Sequence, residues 1–120
     1  MQHGGAKHHR ERIGEALKEE IATIIEGELG DPRIGLANVS EVHLSPDGRS
    51  ARVFIVVQGS DEEAAETMNG LDAAKNFIRR ELTDRLRLRQ APELFFQLDH
   101  SDQYGSRIDE LLERIEKRRR

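Results

Sequence analysis

Six basic side chains crowd the stretch "AAKNFIRRELTDRLRLRQAPELFF" at residues 73–96: Lys75, Arg79, Arg80, Arg85, Arg87 and Arg89. Five are arginines, whose planar guanidinium forks pair bidentately with phosphate oxygens. Residues 74–90 contain only two acids, Glu81 and Asp84, so pairing along a helix cannot neutralise them and the segment carries +4. The last four residues, "KRRR", add another +4, leaving −12 for the rest of a chain whose formal charge is −4. A chain polarised in this way points to a phosphate-bearing partner more strongly than its net charge does. The competing readings are a solvated helix face, or a protein-interaction module whose basic face docks an acidic protein.

Other chemistry finds little support. The chain has no H-E-x-x-H, no Walker loop, no G-x-S-x-G and no G-x-G-x-x-G. With no Cys there is no disulfide framework, no thiolate zinc site and no Cys nucleophile. Asp99, His100 and Asp102 lie close together, but a strand end running into a helix start uses Asp and Ser as caps, and that is the reading taken. His43 reads as a surface residue, and His3, His8 and His9 as part of a Gly- and His-rich leader rather than a metal site. "GELG" at 27–30 matches the G-x-x-G clamp of KH modules, yet that loop must join two helices. Here it closes the first helix, and Gly30 is read as the C-cap. The expectation is a non-enzyme with no cofactor and no metal.

The elements that must hold the arginines follow from periodicity. With 120 residues, 36% of them hydrophobic, the chain makes one domain with a modest core. No apolar run approaches the ~18 residues of a membrane span, and the start has no apolar signal-peptide region. A soluble, cytoplasmic protein is expected.

Residues 1–9 are read as a disordered leader, 10–116 as the domain and 117–120 as a basic tail. Ile13, Leu17, Ile21, Ile24 and Ile25 recur at helical spacing, and Gly30 with Pro32 ends that run. "ANVSEVHL" and "SARVFIVV" read as strands, the first with imperfect alternation suggesting a bulge. Between them "SPDGRS" places Pro46 second and Gly48 fourth in a turn, predicting an antiparallel hairpin. Ser60 and Glu63 then form a capping box, with Asp61, Glu62 and Glu63 at the positive end of the helix dipole.

That second helical pattern runs to about Leu86, roughly twice the usual length, so a bend is expected. The bend is expected within "AAKNF", around Asn76, a weak helix former that tolerates the left-handed conformation. Ala73, Asn76, Arg80 and Arg87 face away from the Leu71–Ile78–Leu82 stripe, whereas Arg85 and Arg89 fall nearer the buried side, where acids inside the domain are alternative partners. "PELFFQLD" is a third strand, and Ile108, Leu111, Leu112 and Ile115 mark a last helix. The four Phe and one Tyr fall mostly at core-like positions, so no aromatic base-stacking platform is expected. The fold class is α+β, in the order α-β-β-α(kinked)-β-α, with a three-stranded sheet packed against helices.

The succession "RIGEALKEEIATII", "DPRIG", "LSPDGRSARVFI", "IRRELTDRLRLRQAPELFF" and "RIDELL" resembles bacterial ribosome-binding factor A over about residues 10–115. The resemblance implies a single KH-like domain whose G-x-x-G is replaced by a helix interrupted at an Ala-x-Gly kink. The matching residues are Ala74, Lys75 and Asn76, with Asn where Gly is typical. "SPDG" departs slightly from the family's usual Asp-Leu.

It further implies a non-catalytic, monomeric assembly factor that binds the small ribosomal subunit and its rRNA. Late maturation, including processing of the rRNA 5′ end, a role in the cold and release involving an assembly GTPase belong to the same implication. The residues expected to contact RNA are Lys75, Asn76, Arg79, Arg80, Arg85, Arg87 and Arg89, with Arg10, Arg12 and Arg33 secondary. Backbone amides freed at the kink are expected to add donors.

Overall fold

A computed structural model describes residues 2–99 and 112–115, with side chains from residue 9 onward. Helix α1 (Gln2–Gly27) leads to strands β1 (Ala37–Leu44) and β2 (Ser50–Val57). Helices α2 (Asp61–Ala73) and α3 (Lys75–Leu86) carry the chain to β3 (Glu93–Leu98), and residues 112–115 are again helical. This is the expected order, and the mixed α+β architecture is the expected class.

α1 begins at Gln2. The stretch expected as a disordered leader is therefore helical from its second residue, because a helix already nucleated by packed turns extends one hydrogen bond at a time. α1 also closes earlier than Gly30: the amides of Glu28 and Leu29 both donate to the Ile24 carbonyl, at 2.9 and 3.1 Å. Gly30 does not have the positive φ of a left-handed cap. "GELG" does close α1 and joins no second helix.

The sheet order is β1-β2-β3. β1 and β2 pair antiparallel, with a bulge between Val39 and Glu41. The extra residue, Ser40, resets the phase so that Ala37, Val39, Val42 and Leu44 all point toward the helices. The turn closes as the spacing predicts: the Gly48 amide donates to the Ser45 carbonyl at 2.9 Å, and Gly48 has φ 73°. Asp47 Oδ1 accepts from Ser45 Oγ at 2.6 Å and from the Arg49 amide at 3.0 Å. β3 pairs parallel to β2, as the α2–α3 crossover requires.

Helices α1, α2 and α3 cover one face of the sheet. Leu17, Ile21 and Ile24 of α1 join Val53 and Ile55, Leu71, Ile78 and Leu82, and Leu94 in one buried cluster. Leu112 packs against the same cluster. The outward face carries His43, Arg52, Phe54, Val56, Phe95 and Gln97, all exposed or half-buried.

α2 starts on the expected capping box, with Ser60 Oγ accepting from the Glu63 amide at 3.1 Å and the Ser60 amide donating to Glu63 Oε1 at 3.2 Å. Its buried Thr67 hydroxyl donates to the Arg33 carbonyl at 3.3 Å and accepts from the Gly35 amide at 3.1 Å. Those bonds pin "DPRIG" to α2. A Cβ at Gly70 would come within 2.8 Å of Ile34 Cγ1, so the close approach of that loop requires glycine. Among the described residues, no helix is long and apolar enough to cross a membrane.

Candidate nucleic-acid interface

The long helical pattern breaks at Ala74, the first residue of the Ala74, Lys75 and Asn76 kink, and not at Asn76 itself. Ala74 alone lies between α2 and α3, with φ −86° and ψ 0°. Asn76 is an ordinary residue of α3 without positive φ. Leu71 and Ile78 are both fully buried, so the bend falls between them, at a small side chain packed on the core. Packing, not the local propensity of Asn76, chooses the position. The Ala74 amide donates to the carbonyls of Gly70 and Leu71 at 3.0 and 3.1 Å, and the Ile78 amide to the Ala74 carbonyl at 3.0 Å. The Ala74 amide and carbonyl are thus both hydrogen-bonded across the bend, so the Ala74 amide is not a free donor.

α3 ends at Arg87, which adopts the left-handed conformation at φ 52° and ψ 43°. Among the described residues it is the sole non-glycine with positive φ. That conformation, roughly 1–2 kcal/mol uphill for an L-residue, reverses the chain so that residues 88–92 return along α3. Arg79 then staples the return: its Nε donates to the Pro92 carbonyl at 3.0 Å and its Nη2 to the Ala91 carbonyl at 2.9 Å. The Glu93 amide donates to the Arg49 carbonyl at 2.8 Å, bringing the hairpin turn against the start of β3.

Two adjoining grooves result. One, of about 710 Å³, is lined by Asn76, Arg79, Arg80, Thr83, Asp84 and Arg89 among others. The second, of about 500 Å³, shares Arg79 and Arg89 and adds Arg49 and Glu93. Four guanidiniums therefore border one continuous depression against two carboxylates, Asp84 and Glu93. Arg80, Arg87 and Arg89 are exposed and have no ion-pair partner among the described residues. Two of Arg79's five N–H groups are committed to backbone carbonyls, so it braces the groove as well as lining it.

The remaining expected contacts separate. Arg85 is enclosed by carboxylates: it pairs with Glu28, with Glu81 at 3.0 Å and with Glu20 at 3.5 Å. Hydrogen bonds to Glu28 and then Glu81 raise its already high pKa further. It ties α3 to α1, the acid-paired alternative weighed for it. Arg89, placed beside it in that expectation, instead faces the groove. Arg33 pairs with Asp31 at 2.6 Å, and this bond holds the Asp31 carboxyl below its ordinary value and Arg33 above its own.

Lys75 pairs with Asp72 at 3.0 Å and sits over the Phe95 ring. Arg10 lines a separate depression with Lys18 and Val42–Leu44 of β1, at the sheet edge opposite β3, and Arg12 is exposed on α1. Asp99 continues the parallel ladder, its amide donating to the Ile55 carbonyl at 2.9 Å, whereas His100 and Asp102 lie outside the described residues. No cluster with metal-ligand spacing occurs among the described residues.

Two features were missed in the sequence. Arg49 reaches the groove because β2 and β3 run parallel, a pairing that periodicity does not report. Three of the four Phe lie off the core: Phe95 is 48% and Phe77 39% exposed and Phe54 is half-buried on the outward sheet face, whereas Phe96 packs against the core cluster. Strict alternation in "ELFFQL" is the signal that would have put Phe95 outside, since Leu94 and Phe96 face in.

The chain is similar to known proteins along nearly its whole length. The family model described as "Ribosome-binding factor A" matches residues 9–112. A protein of that name from Koribacter versatilis (strain Ellin345) is 54% identical over 120 residues, covering all of this chain and 98% of the relative. Another from Carboxydothermus hydrogenoformans is 45% identical over 112 residues, covering 93% and 90%. Among solved structures, the crystal structure of ribosome-binding factor A from Thermus thermophilus superposes with a TM-score of 0.68 at 28% identity, covering 78% of this chain and 98% of that one. A homology model of the Thermus thermophilus factor, fitted into the cryo-EM map of a 30S–RbfA complex, gives 0.61 at 31% identity, covering 72% and 90%. A family-model match across nearly the whole chain, with relatives aligned end to end, establishes that this protein belongs to the ribosome-binding factor A family.

Proposed function

We propose that this protein binds the small ribosomal subunit by laying the α3–β3 groove on rRNA phosphates, and that it acts as a non-catalytic assembly factor. The observation that carries this reading is the convergence of Arg49, Arg79, Arg80 and Arg89 on one depression lined by only two carboxylates. Arginine forks on a rigid support give strong, sequence-independent phosphate contacts, which suit a folded RNA recognised by shape. The complex named for the Thermus thermophilus relative supports the same partner. Arg87, at the strained end of α3, and Lys75, at the bend, extend the cationic surface at either end. The finer role we propose follows the family: late maturation in the cytoplasm, with processing of the rRNA 5′ end, a role in the cold, and release of the monomeric factor by an assembly GTPase.

The test is co-sedimentation with purified small subunits. Arg80→Glu combined with Arg89→Glu is expected to abolish it while leaving the circular-dichroism spectrum unchanged. Retained binding would remove the groove from the interface. A pull-down repeated after RNase treatment separates RNA from the acidic-protein alternative: partners lost with the RNA support this reading.

A further inference from the structure

The sheet face opposite α1, α2 and α3 bears a row of side chains that the arginine groove does not use. In register, His43 lies opposite Arg52, and Arg52 opposite Phe95, so one line crosses all three strands. One step along, Phe54 lies opposite Gln97. The His43 and Phe54 rings meet edge to face, 5.3 Å between centroids and 69° between planes. Phe95 is nearly half exposed, and Lys75 Nζ lies 5.7 Å from its ring centroid. Two acids nearby already have partners: Glu41 is hydrogen-bonded to His43 at 2.9 Å and Asp72 is paired with Lys75 at 3.0 Å. Arg52, at the centre, has no partner among the described residues.

An uncompensated guanidinium between two aromatic rings on an open sheet matches the chemistry of a single-stranded nucleotide. The π-face takes the base and the fork takes the phosphate. A depression of about 780 Å³ bordered by His43, Ser45, Arg52, Phe95 and Gln97 supplies the room. It meets the arginine groove around the hairpin turn, where Arg49 lies on one side and Ser50 and Arg52 on the other. Lys75, next in the chain to the groove residue Asn76, reaches the Phe95 ring from the bend. We propose that this open face is a second site, for an unpaired RNA strand leaving the groove, with one base stacked on Phe95 and its phosphate on Arg52. Gln97 is positioned beside it to offer an amide to a base edge. This proposal rests on RNA being the partner, as argued above.

Fluorescence anisotropy with the full-length chain tests it, using a labelled ten-nucleotide oligouridylate and an abasic oligomer of equal length. The wild type is expected to bind the base-bearing strand about tenfold more tightly, the scale of one base–aromatic stack. Phe95→Leu, which keeps apolar bulk but lacks the ring, should erase that preference without changing abasic affinity or the thermal midpoint, and Phe95→Tyr should keep it. Arg52→Gln should weaken both oligomers. A wild type without preference, or a Phe95→Leu variant that keeps it, overturns the proposal. If groove reversal abolishes subunit binding but bases bring no gain, this site falls and the groove stands. If the Phe95-dependent gain appears while groove reversal leaves subunit binding intact, the groove falls and this site stands.

Discussion

The Arg79 Nε–H donates to the Pro92 carbonyl at 3.0 Å, so an arginine that looks like a ligand contact in the sequence is the staple between α3 and the start of β3. A second bond from the same guanidinium, to Ala91 at 2.9 Å, makes the junction bidentate. What it positions is Arg89 against Arg80 across the groove.

Replacing Arg79 should therefore cost stability and binding together. Arg79→Gln removes hydrogen bonds from a charged donor, each worth about 1.5–3 kcal/mol, and should lower the thermal midpoint by several degrees. Subunit affinity should fall by more than the loss of one phosphate contact. A variant with an unchanged midpoint would show that the staple is not formed in solution.

The salt dependence of binding counts the contacts. If Lys75, Arg49, Arg80, Arg87 and Arg89 each neutralise one phosphate, log affinity should fall against log salt with a slope of about −3.5 to −4.5. Arg80→Gln should flatten that slope by about one unit. A titration from low to moderate salt on isolated rRNA measures both, and a flat response would contradict a phosphate-gripping surface.

Arg87 holds a conformation that glycine adopts freely. Arg87→Gly should raise stability, by an amount on the order of 1 kcal/mol, while weakening RNA binding. Opposite movements of melting temperature and affinity would identify the strain as retained for the charge it presents. A fall in both would mean that the side chain stabilises the loop.

Arg85 should behave in the opposite way from Arg80. Because it lies among Glu20, Glu28 and Glu81, Arg85→Glu sets like charges against three carboxylates and loosens α3 from α1. Melting should drop while subunit binding, measured below the new midpoint, stays near wild type.

Asp47 supplies a pH test of the turn that carries Arg49. Its carboxylate accepts from Ser45 Oγ and then from the Arg49 amide, which holds its pKa below the ordinary 3.8. Since the folded value is depressed, this stabilisation is present above the unfolded pKa and is lost as pH falls through the folded one. Asp47→Asn should therefore destabilise the protein at neutral pH, with the difference from wild type shrinking below about pH 4. Urea midpoints at pH 7 and pH 3 give the comparison.

Much of this architecture could be read along the chain. The helical stripe of Leu17, Ile21 and Ile24, the bulge in β1, the turn at Gly48 and the Ser60–Glu63 box all follow from contacts within a few residues. So did the need for a bend before Ile78, because an unbroken helix of that length is unusual, with Ala74 rather than Asn76 as the residue of the kink stretch that takes it.

Element order, the face each element buries and the local excess of arginine are legible in the chain alone, because they depend on side-chain type at fixed spacing along one segment. What each arginine is for depends on contacts between segments far apart in the chain. Arg85 meets Glu28 across 57 residues, Arg79 meets the turn before β3, Arg49 arrives through a parallel strand pair, and Phe95 emerges on the sheet face opposite α1, α2 and α3. Periodicity says which way a side chain points from its own backbone. Whether an acid, a carbonyl or open solvent waits there is set by how distant segments pack, and that is a property of the assembled core.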